Sequence, residues 1–291
     1  MFKITRDMLK AKGACAEGYR EFCRAYPEED YPDGAEYQDV LDRCAENGRD
    51  SHALWLIDVF GKTTDVRKIE GDYISEKSIF VCGRLEVTGK IFCKGCIKAG
   101  WGIEAGYGIK AGEGIEAGEG IEAGEGIEAG CGIKAGWGIK AGWGIEAGYG
   151  IKAGEGIEAG YGIKAGEGIE AGCGIKAGWG IKAGWGIEAG YGIKAGEGIE
   201  AGYDIKAGEG IEAGCVIKAG EGIEAGEGIE AGCGIKAGWG IKTGDGIEAG
   251  ENFGIYAGLN VRLDSNDRQV KAKIRPNNLV CGEFVLDDDK E

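Results

Sequence analysis

Cys93 and Cys96 stand two residues apart, with Cys82 upstream, the spacing of half a thiolate zinc site. No second cysteine pair and no histidine stands near them in sequence, so they read as packing thiols. The only histidine is His52, in a stretch of helical spacing, which reads as an ordinary helix residue. Cys131, Cys173 and Cys215 recur at one fixed interval, and Cys215 and Cys233 at a shorter one. The many Gly-x-Gly units lack the Gly-Lys-Ser/Thr ending of a phosphate loop. Calcium-binding repeats need an aspartate in every unit, and here only Asp204 and Asp245 occur. An ice-binding threonine ladder is likewise missing, since the repeat offers only Thr243. No nucleophile–base pair or metal set is read from these residues, and the chain is read as non-enzymatic, without a metal or cofactor.

Apart from His52, these residues are set on a repeat or its lead-in. From Ile97 to Ile247 an isoleucine recurs every six positions, 26 in all, in the unit Ile-(Lys/Glu)-Ala-Gly-x-Gly. Ile79, Leu85 and Ile91 keep the same spacing in a less regular lead-in. Fixed self-similarity is the mark of a solenoid. Ile and Ala, two apart, point to one side of a strand, and the Lys or Glu between them points to water. Gly-x-Gly supplies a conformationally permissive corner. Glu occupies x nine times, so x is placed outside, and the six tryptophans and five tyrosines that share it are expected to be at least partly exposed. They are Trp101, Trp137, Trp143, Trp179, Trp185, Trp239, Tyr107, Tyr149, Tyr161, Tyr191 and Tyr203.

Charge pairing sets the coil. With three units per coil, 14 of 23 stacked Lys/Glu neighbours have opposite sign; with two units per coil, 10 of 24 do. The expected fold is mainly β: a three-sided parallel β-solenoid with a small N-terminal helical domain and a β C-terminal cap. At ~4.8 Å per coil, about nine regular coils make a rod of roughly 40 Å. The expected domains are 1–66 (helical cap), 67–258 (solenoid, with its regular core at 97–250) and 259–291 (C-terminal cap and acidic tail).

The period and residue classes resemble the hexapeptide-repeat β-helix families. The lead-in (Ile69-Glu70-Gly71-Asp72, then Ile79-Phe80-Val81) resembles the bactofilin-like polymerising β-helices. The chain departs from the left-handed hexapeptide pattern, which has a small residue two before the aliphatic one where this chain has x. Hexapeptide-repeat acyltransferases and carbonic anhydrases need repeat histidines that are absent here. Apolar residues at helical spacing (Tyr19, Phe22, Cys23, Tyr26; Tyr37, Val40, Leu41, Cys44; Leu54, Leu56, Ile57, Phe60) predict three or four short N-terminal helices. There Leu9-x3-Gly13-Ala14-Cys15-x2-Gly18-x3-Phe22 resembles a small module of phage and prophage proteins.

Eleven scattered cysteines read as reduced thiols, and no apolar run reaches membrane-span length, which together point to the cytoplasm of a bacterial host. Of the net charge of −16, −11 falls on residues 97–250. Such a rod repels nucleic acid and anionic membrane and suits a basic partner. Residues 131–172 and 173–214 are near copies that differ only at Gly162 and Asp204. The seven units of each copy are not a whole number of three-sided coils, so the copy turns every unit onto another face. Bulk shape, charge and aromatics are therefore the properties open to selection. The expected function is to bind and block a host nucleic-acid-binding defence protein, as a restriction or CRISPR inhibitor. The expected contacts are the lysine-free stretch Glu113, Glu116, Glu119, Glu122, Glu125 and Glu128 and the aromatics Trp137, Trp143, Tyr149, Trp179, Trp185 and Tyr191. Pentapeptide-repeat proteins resemble DNA in this way. Duplex DNA, however, carries one charge per ~1.7 Å, and this rod one net charge per ~4 Å at the coil rise above. The alternative is a self-assembling scaffold or virion component.

Overall fold

The computed structural model describes residues 2–251, 253–259 and 268–287. Four helices form the N-terminal domain: α1 (Arg6–Ala11), α2 (Ala16–Ala25), α3 (Tyr37–Glu46) and α4 (Asp50–Phe60). Two short antiparallel strands, β1 (Lys3–Ile4) and β2 (Ala35–Glu36), tie the start of the chain to α3. Thr5 caps α1 by accepting from the Met8 amide, and Gly61 ends α4 with a positive φ of 75°. The core of this domain gathers Leu9, Phe22, Tyr37, Leu41 and Leu56.

The solenoid begins with β3 (Val66–Ile69), β4 (Tyr73–Ser75) and β5 (Ile79–Val81), one strand on each of three faces. Each later strand of the regular repeat pairs in parallel with the strand three units before it, as Ile115 with Ile97 and Ile121 with Ile103. The coil is therefore three-sided, as the charge pattern predicts. The faces hold 11, 12 and 12 strands; face 1 contains β3, face 2 β4 and face 3 β5. Ile stacks on Ile and Ala on Ala through the regular interior: Ile121 is 1 % and Ala123 3 % exposed. Each regular coil is hydrogen-bonded to the next even at its corners, as in Trp143 N–H donating to the Glu125 carbonyl at 3.2 Å and Tyr161 N–H to that of Trp143 at 2.8 Å. The backbone is thus satisfied by its own hydrogen bonds, and among the inward positions of residues 97–250 only Thr243 is polar.

The corner glycines work differently from the sequence expectation. None of the repeat glycines has a positive φ. The first glycine of each Gly-x-Gly is required by close approach: a Cβ on Gly154 would overlap the carbonyl oxygen of Gly136 in the coil before. The second is not: a Cβ on Gly156 would rest 3.4 Å from the Gly174 oxygen, ordinary contact. Asp204 and Val216 replace that second glycine and keep the coil intact.

Both ends carry specific closures. At the N-terminal end α3 lies across the open core. Its Gln38 amide donates to the Phe80 carbonyl (2.7 Å) and accepts from the Cys82 amide (3.2 Å), filling the unpaired side of β5. Arg67 takes an inward position, in register with Leu85, and pairs with Asp42 of α3 at 2.6 Å beneath the Tyr73 ring. Phe80, on the outer side of β5, is buried under the helical domain. At the other end the period slips by two positions: Ile235 pairs with Ile255, where an unbroken period would bring Phe253. Strands Gln269–Ala272, Leu279–Cys281 and Glu283–Leu286 then extend faces 2 and 3 in parallel. Residues 260–267 of the expected C-terminal cap and residues 288–291 of its acidic tail lie outside the described residues.

Candidate binding edges of the rod

On the flat faces, the outward position of each strand carries Lys or Glu. Thirteen lysines and thirteen glutamates occupy these positions between residues 97 and 250, so the faces are neutral in sum. They pair between coils, as in Lys152–Glu170 (2.6 Å), Lys164–Glu146 (2.6 Å) and Lys110–Glu128 (2.7 Å). Glu200 bridges Lys182 and Lys218 at 3.0 Å each, and these hydrogen bonds hold its carboxyl below the usual carboxylate value. The whole −11 of the repeat therefore lies at the corners: nine glutamates at x, Asp204 and Asp245. The same corners carry the aromatics.

The six glutamates Glu113 to Glu128 span one coil. Glu113, Glu119 and Glu125 sit at its three corners, and Glu116, Glu122 and Glu128 on its three faces. They form a belt around the rod instead of a track along it. The stretch has no lysine of its own, but lysines one coil away reach it: Lys98 and Lys134 to Glu116, Lys140 to Glu122, Lys110 to Glu128. Glu119 corrects the expectation that every x carboxylate is exposed. It is 7 % exposed, with Arg84 at 3.6 Å supplying the charge that makes this burial tolerable.

The aromatics segregate by edge. Edge 1–2, between faces 1 and 2, presents Tyr107, Trp143, Tyr161 and Trp179; the last three lie on consecutive coils. Trp143 and Tyr161 meet edge to face at 6.4 Å between centroids, and Tyr161 and Trp179 at 5.4 Å. All three are about half exposed or more. Edge 2–3 presents Tyr149, Trp185, Tyr203 and Trp239, and edge 3–1 presents Trp137 and Tyr191, all exposed. Trp101, also on edge 3–1, is only partly exposed, because Lys62 lies over its ring at 3.6 Å. The duplication produces this distribution. A shift of seven units is two coils and one face, which moves Trp137 onto Trp179 and from edge 3–1 to edge 1–2. Sequence reasoning named Trp143 and Trp179 but left Tyr161, the residue that joins them, out of the contact set.

The cysteines separate into two kinds. The sulfur of Cys93 donates to the Gly95 and Cys96 carbonyls, and among the described residues Cys93 falls in no cluster of three possible metal ligands. Burial pushes the Cys93 thiol up to about 12, Cys44 up to about 11, and raises Cys82 and Cys96 as well. Cys96 instead meets Asp50 and Glu113, with ligand atoms within 4.8 Å of one another. Asp50 is already engaged by the Ser78 hydroxyl, and three groups fall short of the four of a structural zinc site. Cys215 and Cys233 do stack, with sulfurs 2.6 Å apart. In the helical domain His52 has a neighbour that sequence reasoning did not assign to it: Cys15 Sγ lies 3.7 Å from its Nε2.

Among the described residues no helix is long and apolar enough to cross a membrane. Residues 1–63, which contain all four helices, match the family model of the YdhT N-terminal domain. No curated protein and no solved structure matches the chain.

Proposed function

We propose that the protein is a binding rod that docks edge-on into a basic cleft of a nucleic-acid-binding defence protein and blocks it. The reading rests on one observation: net negative charge and exposed aromatics share the edges, while the faces are neutral. An edge offers Trp and Tyr anchors, the residue types that dominate interfaces, with carboxylates beside them to steer toward a basic surface. The neighbouring lysines and the belt arrangement weigh against imitation of a phosphate track by Glu113–Glu128. The counter-defence setting is supported by the resemblance of the N-terminal module to phage and prophage modules.

The test is capture from bacterial lysate by the tagged full chain, eluted in salt steps. A triple variant, Trp143→Ala, Tyr161→Ala and Trp179→Ala, should weaken capture of a nucleic-acid-binding protein at least tenfold. A face variant, Lys152→Ala with Glu170→Ala, should leave it unchanged. Equal capture by wild type and the edge variant would remove the reading.

One observation favours self-assembly as the second reading. Leu279–Cys281 and Glu283–Leu286 end two of the three sheets and expose Val280 and Leu286. Light scattering that shows growth with concentration, abolished by Val280→Lys, would favour the scaffold.

A further inference from the structure

Cys15 is the N-cap residue of α2, with its sulfur accepting from the Gly18 amide at 3.3 Å. Cys15 is exposed, and His52 Nε2 of α4 stands 3.7 Å from its sulfur. The other ring nitrogen, Nδ1, lies 3.6 Å from Glu21 Oε2, further along α2. Glu21 is itself held by Arg49, whose guanidinium bonds Glu21 at 2.6 Å and Glu17 at 2.9 Å. Thiol, imidazole and carboxylate are thus in the order nucleophile, base, orienting group. A side chain at position 18 would crowd this pair: its Cβ would stand 3.3 Å from the Cys15 sulfur and 3.5 Å from His52 Cε1.

The three groups open onto a cleft of about 540 Å³ between the helices, lined by the apolar Phe22, Val40, Trp55 and Leu56 and by the charged Arg24 and Arg43. The first amides of a helix lack intrahelical partners. Those of Ala16 and Glu17 open α2 beside the sulfur, where an oxyanion would form. The apolar side of the cleft, a thiol nucleophile and helix amides beside it suit an acyl chain carried on an ester, with the arginines left to face its polar end.

We infer that Cys15, His52 and Glu21 form an acyl-transfer site in the N-terminal domain, with Cys15 as nucleophile and an apolar acyl ester as substrate. In the first step His52 Nε2 takes the thiol proton as Cys15 Sγ bonds to the ester carbonyl carbon. The carbon–oxygen bond breaks, and the departing oxygen receives the proton from His52. In the second step water attacks the thioester while His52 takes a water proton. The carbon–sulfur bond breaks, the carboxylic acid leaves and the thiol regains its proton. Glu21 is a positioning residue, acting through the orientation of the imidazole. This site is independent of the reading of the rod, because no repeat residue takes part.

The experiment uses the full chain with p-nitrophenyl butyrate, reading nitrophenol release and the butyryl adduct by peptide mass spectrometry. The expected result is saturable release with the adduct on Cys15. Cys15→Ser keeps a cap acceptor for the Gly18 amide and should keep the thermal midpoint while losing turnover. His52→Gln should slow acylation about 100-fold, the usual worth of a general base. Glu21→Gln should lower kcat with KM retained and displace the pH profile, which loss of a merely structural contact would not do. Turnover by Cys15→Ser equal to wild type would overturn the assignment. So would acylation of wild-type Cys15 no faster than that of a free peptide of residues 9–22, which would leave Cys15 as a helix cap only.

Discussion

Asp42 of α3 holds Arg67 at 2.6 Å across the mouth of the solenoid core, where the inward column of isoleucines and alanines gives way to a charged side chain. Burial is the largest single influence and opposes the Arg67 charge, but the Asp42 hydrogen bond together with the charges of Tyr73, Asp42 and Cys82 outweighs it, so the guanidinium pKa is raised. A closure of this kind lets a polar domain sit on an apolar column without an unpaired charge.

Asp42→Ala should cost about 1–2 kcal/mol in chemical denaturation, between an exposed and a buried pair, because both partners retain some exposure. A double-mutant cycle with Arg67→Met should recover most of that loss. Strict additivity would show that the pair contributes nothing to the closure.

The two corner glycines should respond in opposite ways to one methyl group. Gly154→Ala places a Cβ on the Gly136 oxygen and should open the coil, lowering the thermal midpoint by well over ~5 °C. Gly156→Ala, with 3.4 Å of clearance, should change stability by no more than about 0.5 kcal/mol. Equal sensitivity at the two sites would contradict the close-approach account.

Glu200 gives the rod an acid-side dependence. Its folded carboxyl value lies below the unfolded one, so its contribution is present above the unfolded value of 4.5 and disappears as pH falls through the folded value. Glu200→Gln should flatten the stability–pH curve slightly in that window and leave its slope near neutral pH unchanged. The side chain is 41 % exposed, so the effect is small and should shrink further in salt.

Alkaline stability has the opposite sign. Cys93 and Cys44 stay protonated in the fold up to about 12 and about 11, whereas unfolded thiols ionise near 9. The unfolded chain therefore releases protons first, and stability falls as pH rises from 9 through those values. In thiol labelling at mildly alkaline pH Cys93 should be protected until the chain unfolds, and the half-buried Cys44 should react more slowly than an exposed thiol. Prompt labelling of Cys93 in the native protein would refute its burial.

Cys215 and Cys233 should behave as a pair. Their stacked sulfurs predict a single cross-link on two-electron oxidation with a disulfide reagent such as oxidised glutathione, seen as a Cys215–Cys233 bridged peptide. Bridges spread evenly over the exposed thiols would count against the stacking.

The repeat alone dictated the solenoid, its three-unit coil and the register of its faces. An aliphatic residue every sixth position, with Ala two further on, must face one interior, and stacked charges favour three units per coil over two. Apolar spacing predicted three or four short helices where the N-terminal domain has four, and the slip before Ile255 is a break in period. Other properties depend on which residues lie one coil, or one helix, away. Glu113–Glu128 read as a lysine-free acidic run because Lys98, Lys110, Lys134 and Lys140 approach only when the chain is wound. Trp143, Tyr161 and Trp179 become one ladder only because each full coil brings the chain back to the same edge. The proximity of Cys15 to His52, far along the chain, exists only where α2 packs beside α4. Local pattern determines what a chain can bury; the three-dimensional path decides which polar groups meet, since those encounters leave no period in the sequence.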